Sequence, residues 1–244
     1  MPLDKIVKIF PTPKELAETF AGEMAHMIIQ SAKKKKLFNV ALSGGSTPEL
    51  LFTVLGENYA RSVPWQYVHL FWGDERCVPP ENSESNYGMT LKKLISRIEI
   101  PTTNIHRIRG EDDPATEAGR YSDELSLHTL KRDSLPFFDL VLLGLGEDGH
   151  TASIFPGQLE LMVSDKTCAV AIHPDTKQKR ITITGRVINN AEQVIFLVTG
   201  KKKEEIVEKI VKHKPSAQNF PASYIVPVYG QLSWFLDHDA GNKL

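Results

Sequence analysis

The sequence predicts an α/β fold in which a mostly parallel sheet is flanked by helices, carried by a single domain over residues 1–244. Three observations lead there. The chain has 244 residues, 41% apolar and 24% charged, which is enough to build one substantial core and far from the composition of a disordered chain. Short runs apolar on both faces alternate with amphipathic stretches, the pattern of strands buried between two layers of helix. No internal repeat and no Pro-, Gly- or Ser-rich stretch divides the chain.

Taken in order, Val7 to Phe10 reads as a strand. Lys14 to Lys35 reads as a helix opened by Thr12-Pro13, with Leu16, Phe20, Met24, Met27 and Ile28 at helical spacing. The basic run Lys33 to Lys36 suits the negative C-terminal end of that helix. Leu37 to Leu42 is a buried strand, Pro48 to Leu55 a helix and Val68 to Trp72 a strand. Asn86 to Arg97 is an amphipathic helix with Ser85 placed to cap it, and Glu117 to Leu130 is another helix. Phe138 to Leu143, Ala169 to Ile172, Ile181 to Thr184 and Val194 to Val198 are strands, and Lys202 to Val211 is the last helix.

Charge and composition remove several function classes. Lys plus Arg number 29 against 30 Asp plus Glu, so no overall cationic excess favours nucleic acid. The longest apolar runs, Cys168 to Ile172 and Val194 to Val198, are far below the roughly 20 residues that span a bilayer. Met1 to Phe10 carries Asp4, Lys5 and Lys8 and does not read as a signal peptide, so a cytoplasmic location is expected. Cys77 and Cys168 have no metal-ligand spacing and are expected as free thiols. The sequence leaves the oligomeric state open.

Ligands of parallel sheets bind at the carboxyl ends of the strands, which directs attention to the residues after Leu42, Trp72, Leu143 and Val198. Ser43-Gly44-Gly45-Ser46-Thr47-Pro48 leads from a strand into a helix. Its glycines permit close backbone approach, and its N–H groups and hydroxyls converge on a helix N-terminus, the elements of a phosphate cradle. No lysine follows the second glycine, so this is not a nucleotide triphosphatase loop. After Trp72 come Asp74, Glu75 and Arg76. There an arginine fixed by carboxylates can meet an oxyanion, though a structural ion cluster explains the triplet almost as well.

Gly144-Leu145-Gly146-Glu147-Asp148-Gly149-His150 matches the letters of a dinucleotide fingerprint, but Pro156-Gly157 interrupts the helix that such a site requires. No nicotinamide cofactor is expected. His150 at the ligand face is better suited to proton transfer, with Asp148 or Glu147 fixing its tautomer. No Cys or second His stands at zinc-like spacing from His150, so no metal is expected to serve it. Arg180 begins a strand, and Lys201, Lys202 and Lys203 stand where a helix starts. There their charge opposes the macrodipole unless an anion offsets it.

With these motifs together, the sequence resembles the 6-phosphogluconolactonases from about Phe10 to Trp234, most specifically over Leu143 to Gly157. The resemblance implies a Rossmann-like sheet and hydrolysis of 6-phospho-D-glucono-1,5-lactone in the oxidative pentose phosphate pathway, with no metal or other cofactor. It implies His150 as the base, phosphate contacts from the Ser43 to Thr47 loop, Arg180 and Lys203, and Arg76 facing the substrate. The expected partner is therefore a small phosphosugar lactone, with no nucleic acid and no membrane. Asp74 is a candidate for orienting water or a sugar hydroxyl, and the Gly146 to Gly149 loop, or Arg76, for stabilising the oxyanion. The glucosamine-6-phosphate deaminases share the fold but carry Asn-Glu-Pro after Asp-Gly-His, where this chain has Ile154-Phe155-Pro156. A sugar-phosphate-binding regulator would need a basic DNA-binding module, which the sequence lacks.

Overall fold

The computed structural model describes residues 5–244. Residues 1–4, part of the stretch read for a signal peptide, lie outside the described residues. The chain runs β1 (Ile6–Phe10), α1 (Pro13–Lys33), β2 (Phe38–Leu42), α2 (Ser46–Asn58), β3 (Val68–Trp72), β4 (Asp74–Arg76), α3 (Asn86–Lys93), β5 (Ile105–His106) and α4 (Pro114–His128). It continues through β6 (Leu130–Arg132), β7 (Leu135–Phe137), β8 (Leu140–Leu143), α5 (Glu160–Val163), β9 (Cys168–Ile172) and β10 (Lys179–Ile183). After these come α6 (Gly185–Asn189), β11 (Gln193–Val198), α7 (Glu204–Val211), β12 (Gln231–Asp237) and α8 (His238–Gly241).

Seven strands form one sheet in the order β1-β12-β11-β8-β2-β3-β5, and every neighbouring pair in it is parallel. From β2 the chain steps outward through β3 to β5, then returns to the other side of β2 as β8 and steps the opposite way through β11 to β12. The direction of winding therefore reverses between β2 and β8. Loops leaving two strands on either side of such a reversal diverge and open a crevice at their carboxyl ends. Those two loops are the Ser43 and Gly144 segments.

Local chemistry explains the elements. Thr12 caps α1 by accepting from the Glu15 N–H at 3.2 Å, Pro13 occupies the first turn, and Leu16, Phe20, Met24 and Ile28 are buried along one face. Asp113 likewise caps α4 by accepting from Thr116 N–H at 3.0 Å, with Pro114 next, so α4 starts three residues before the predicted Glu117. The predicted helix from Asn86 to Arg97 ends at Lys93, where Leu94 leaves helical geometry, and a separate short turn covers Ile95–Arg97.

Because β5 is only two residues long, the end of β3 lacks a strand partner there. Tyr121 of α4 takes its place, its hydroxyl accepting from Trp72 N–H and donating to Trp72 C=O, both at 2.9 Å. A buried backbone pair left unsatisfied would cost about 1–3 kcal/mol per group.

Two expectations need correction. Strands Ala169 to Ile172 and Ile181 to Thr184 do not join the parallel sheet: β9 and β10 pair antiparallel with each other, and β10 pairs antiparallel with β4 in a separate three-stranded sheet. Thr184 leaves that strand and stands at the N-cap of α6. No strand is predicted where β12 lies, between the edge strand β1 and β11 of the main sheet. Trp234 of β12 stacks on Phe196 of β11 with ring centroids 4.0 Å apart, a pair worth about 0.5–1.5 kcal/mol beyond its burial.

Candidate active site

The crevice at the β2/β8 reversal is a cavity of about 220 Å³ lined by Ser43, Gly44, Gly45, Asp74, Arg76, Asn86, Gly144, Leu145, Gly146, His150, Ala152, Arg180 and Lys203. The main sheet supplies its floor through the loops after β2 and β8, while the small sheet supplies one wall through β4 and β10.

His150 follows a tight glycine loop. Its ring Nδ1 lies 2.6 Å from Asp148 Oδ1, which also accepts from the His150 backbone N–H at 3.1 Å. Asp148, and not Glu147, is therefore the group that fixes the imidazole; Glu147 faces Lys202 at 3.7 Å. Burial works to raise the Asp148 carboxyl, but the hydrogen bond and charge of His150 outweigh it and hold Asp148 at about 2. With a carboxylate accepting at Nδ1, the ring carries its proton there and leaves Nε2 to exchange a proton in the cleft. Gly146 makes this pairing possible, since a Cβ on it would stand 2.1 Å from His150 Nδ1 and 2.4 Å from Asp148 Oδ1.

Asp74 and Glu75 have different fates. Asp74 is buried and lines the cleft; it accepts from Ser153 Oγ at 2.6 Å and lies 3.4 Å from Asn86 Nδ2. Glu75 turns away and accepts from the N–H groups of Arg76, Asn86 and Tyr87, each at 2.8 Å, and from Ser85 Oγ at 3.0 Å. It anchors the start of α3, a structural task. Asn86, read from the sequence only as a helix start, crosses beneath the Ser43 loop: a Cβ on Gly44 would lie 1.8 Å from Asn86 Oδ1.

The cations converge from separate elements. Arg76 and Arg180 stand directly opposite each other in the β4/β10 register. Among the described residues neither makes an ion pair with a carboxylate, and the Nε of each is buried with no hydrogen-bond partner. The Arg76 guanidinium donates to the Glu84 C=O, and Arg180 lies over the Phe155 ring, 5.5 Å from its centroid. Burial, and then the charge of Arg76, lowers the Arg180 guanidinium from its ordinary value. Two like charges held side by side, neither in ion-pair contact with a carboxylate, favour an anion between them. Lys203 completes the set, half-buried and lowered by burial against the opposing pull of Glu147 and Asp148.

Part of the expected phosphate loop faces elsewhere. Ser43, Gly44 and Gly45 line the cleft, but Ser46 is exposed and Thr47 Oγ1 is paired with Thr199 Oγ1 at 2.8 Å, tying the first turn of α2 to the end of β11. No side chain caps α2, whose N-cap is Gly45 and whose third residue is Pro48, so the positive helix end is left for an anion.

The glycine loop also departs from expectation. Gly146 N–H donates to His150 C=O at 2.8 Å and Gly149 N–H to Gly146 C=O at 3.1 Å, so neither is free as an oxyanion donor. Gly149 does not line the cleft; its φ of 85° and the Phe220 ring, 2.7 Å from where a Cβ would be, explain its glycine. The lysines are corrected too. Lys201–Lys203 form a separate turn, α7 begins at Glu204, and Glu204 and Glu205 meet its positive end. The placement of Lys203 follows from that turn and not from the macrodipole.

A parallel sheet with a helix end, three cations and an acid–histidine pair at its winding reversal defines an α/β protein with a cationic cleft at the carboxyl ends of its strands. Residues 11–234 match the family model described as glucosamine-6-phosphate isomerases/6-phosphogluconolactonase, and the chain belongs to that family. It is 41% identical to a 6-phosphogluconolactonase of Aggregatibacter actinomycetemcomitans over 96% of this chain and 98% of that one. It is 40% identical to that of Haemophilus influenzae Rd over 95% and 96%. The solved 6-phosphogluconolactonase of Trypanosoma brucei superposes with a TM-score of 0.88 at 28% identity, covering 99% of each chain.

Proposed function

We propose that the chain hydrolyses 6-phospho-D-glucono-1,5-lactone to 6-phospho-D-gluconate, the lactone-opening step of the pentose phosphate pathway, with His150 as the base. The observation that carries the mechanism is the union in one cleft of the Asp148-held His150 with the facing pair Arg76 and Arg180, neither ion-paired among the described residues, and with Lys203. A lactone is an ester, so the task is to add hydroxide at C1 and protonate the departing ring oxygen. His150 Nε2 takes a proton from water as the oxygen bonds to C1, and Asp148 stabilises the imidazolium that forms. The charge displaced onto the carbonyl oxygen is met by Arg76. Collapse of the tetrahedral intermediate breaks the bond between C1 and the ring oxygen, and the imidazolium returns its proton to that oxygen.

Arg180, Lys203 and the Ser43 to Gly45 backbone at the start of α2 hold the 6-phosphate, which fixes C1 relative to His150. Asp74, locked by Ser153 and Asn86, orients the water or a sugar hydroxyl.

The test follows loss of freshly prepared lactone against its spontaneous hydrolysis. Wild type accelerates the loss, and His150→Ala lowers kcat by about 10²–10⁴, the size of a general-base contribution. Wild-type turnover in folded His150→Ala would refute the assignment.

A further inference from the structure

A second cluster of ligating side chains lies at the opposite margin of the main sheet from β1. β5, the edge strand next to β3, ends in His106, whose side chain is almost fully buried. Glu124 and His128 stand four residues apart on α4 and so project from one face of that helix. His106 Nδ1 lies 2.7 Å from Glu124 Oε1, and His128 Nε2 lies 3.6 Å from the same oxygen. One ligand atom from each of the three falls within 4.8 Å of the others. We propose that His106, Glu124 and His128 form a binding site for a borderline divalent transition-metal ion such as Zn2+, separate from the catalytic cleft.

The donor set is the argument. Two imidazoles and one carboxylate match the three-ligand set of open zinc sites, in which water takes the fourth position. Ligands about 2.0–2.1 Å from a tetrahedral ion stand roughly 3.3 Å apart, so the 2.7 Å pair opens slightly and the partly exposed His128 ring turns inward. The surroundings already hold the ligands. Arg120 Nη1 donates to Glu124 Oε2 at 3.1 Å, fixing the carboxylate while leaving Oε1 for the ion. The Arg120 charge is itself met by buried Glu117 at 2.6 Å, and that of neighbouring Arg107 by Glu111 at 2.6 Å, so neither arginine confronts the ion unpaired.

His69 supplies the partner that an Nδ1-bound His106 requires. Its Nδ1 lies 2.9 Å from His106 Nε2. Without metal, the chain of protons runs from His69 Nδ1–H to His106 Nε2 and from His106 Nδ1–H to Glu124. When an ion takes His106 Nδ1, the His106 proton sits on Nε2 and is donated to His69 Nδ1, whose own proton sits on its Nε2. Both rings change tautomer and stay neutral, so the ion takes the place of a hydrogen-bonding proton; Glu124 offsets one of its two charges, and the water or hydroxide in the open fourth position faces the rest. Bound there, it would cross-link the two-residue edge strand to α4.

The experiment is calorimetric titration of the metal-stripped full chain with Zn2+, beside the visible spectrum on adding Co2+. One tight Zn2+ per chain is expected, with the Co2+ band pattern of a low-coordinate nitrogen and oxygen site. His128→Ala, a half-exposed position, should weaken Zn2+ at least tenfold and abolish the Co2+ bands, as should Glu124→Gln. His150→Ala, altered only in the catalytic cleft, should bind as wild type does. Absence of tight binding in wild type, undiminished binding in His128→Ala, or binding lost in His150→Ala would each overturn the proposal.

Discussion

Replacing Asp148 by Asn tests the least obvious part of the catalytic arrangement. The native contact is 2.6 Å between His150 Nδ1 and Asp148 Oδ1, a charge-assisted bond of the kind worth about 1.5–3 kcal/mol. If that bond acts on the imidazolium of the transition state, its loss lowers kcat by about 10- to 100-fold. An asparagine that presents its oxygen keeps the tautomer and falls at the lower end. One that presents its NH2 moves the ring proton to Nε2, removes the base and approaches the loss of His150→Ala. Asp148 is not among the cleft-lining residues, so KM should change little.

Acid provides a second readout of the same contact. The folded Asp148 is depressed from 3.8 to about 2. Its contribution to stability is therefore fully present above about pH 4 and disappears as pH falls through about 2, and Asp148→Asn should lack this acid-sensitive component. The assay is kcat and KM with fresh lactone, beside acid unfolding followed by circular dichroism. A folded Asp148→Asn within twofold of wild-type kcat would show that the carboxylate does not serve the base.

Three further outcomes are expected. Arg180→Ala and Lys203→Ala should each lose about 10- to 100-fold in kcat/KM on the phosphorylated lactone and nothing on unphosphorylated gluconolactone; equal losses on both would place these residues at the carbonyl or in the fold. Gly146→Ala puts a methyl group 2.1 Å from His150 Nδ1, so kcat should fall at least tenfold (about 1.4 kcal/mol) with thermal unfolding changed far less, and wild-type kcat would contradict the packing. Burial pushes the Cys77 thiol up to about 11 and the Cys168 thiol up to about 12. Both should therefore resist an aromatic disulfide reagent near neutral pH until the protein is unfolded, and rapid native labelling of Cys168 would refute its burial.

What could be read from the sequence was whatever local chemistry decides. The strand before Ser43 and the loop before His150 announce themselves because two-face apolar runs ending in glycine have few other uses. β12 escaped because its apolar run, Trp234-Phe235-Leu236, is short, runs into Asp237 and not into a glycine loop, and follows a long turn-rich stretch. The pairing of β4 with β10 is a contact across about a hundred residues, invisible to any local pattern, and with it went the juxtaposition of Arg76 and Arg180. Asn86 was hidden for a different reason: beside a capping serine, an asparagine looks like part of the cap. The free N–H groups expected of Gly146 and Gly149 failed because a loop tight enough to aim His150 consumes its own donors.

The two sheets divide the labour of the site in a way that bears on how precisely it is held. Backbone groups and His150 come from loops at the reversal of the parallel sheet, where helix ends and glycines are fixed by the main core. The paired arginines come from the small antiparallel sheet, whose β4 leaves β3 after the single residue Gly73. Gly73 N–H donates to Leu42 C=O at 2.8 Å, and Ile183 N–H donates to Gly73 C=O at 2.8 Å, so one residue bonds to both sheets. The buried contact between Asp74 and Ser153 joins β4 to the segment just beyond His150 at 2.6 Å. A displacement of the arginine wall is thus resisted by short, buried bonds that run through the segment carrying His150 itself. A mislocation of about 1 Å can cost a hundredfold in rate, and this bracing explains why Asp74, the residue that meets both Asn86 and Ser153, is buried.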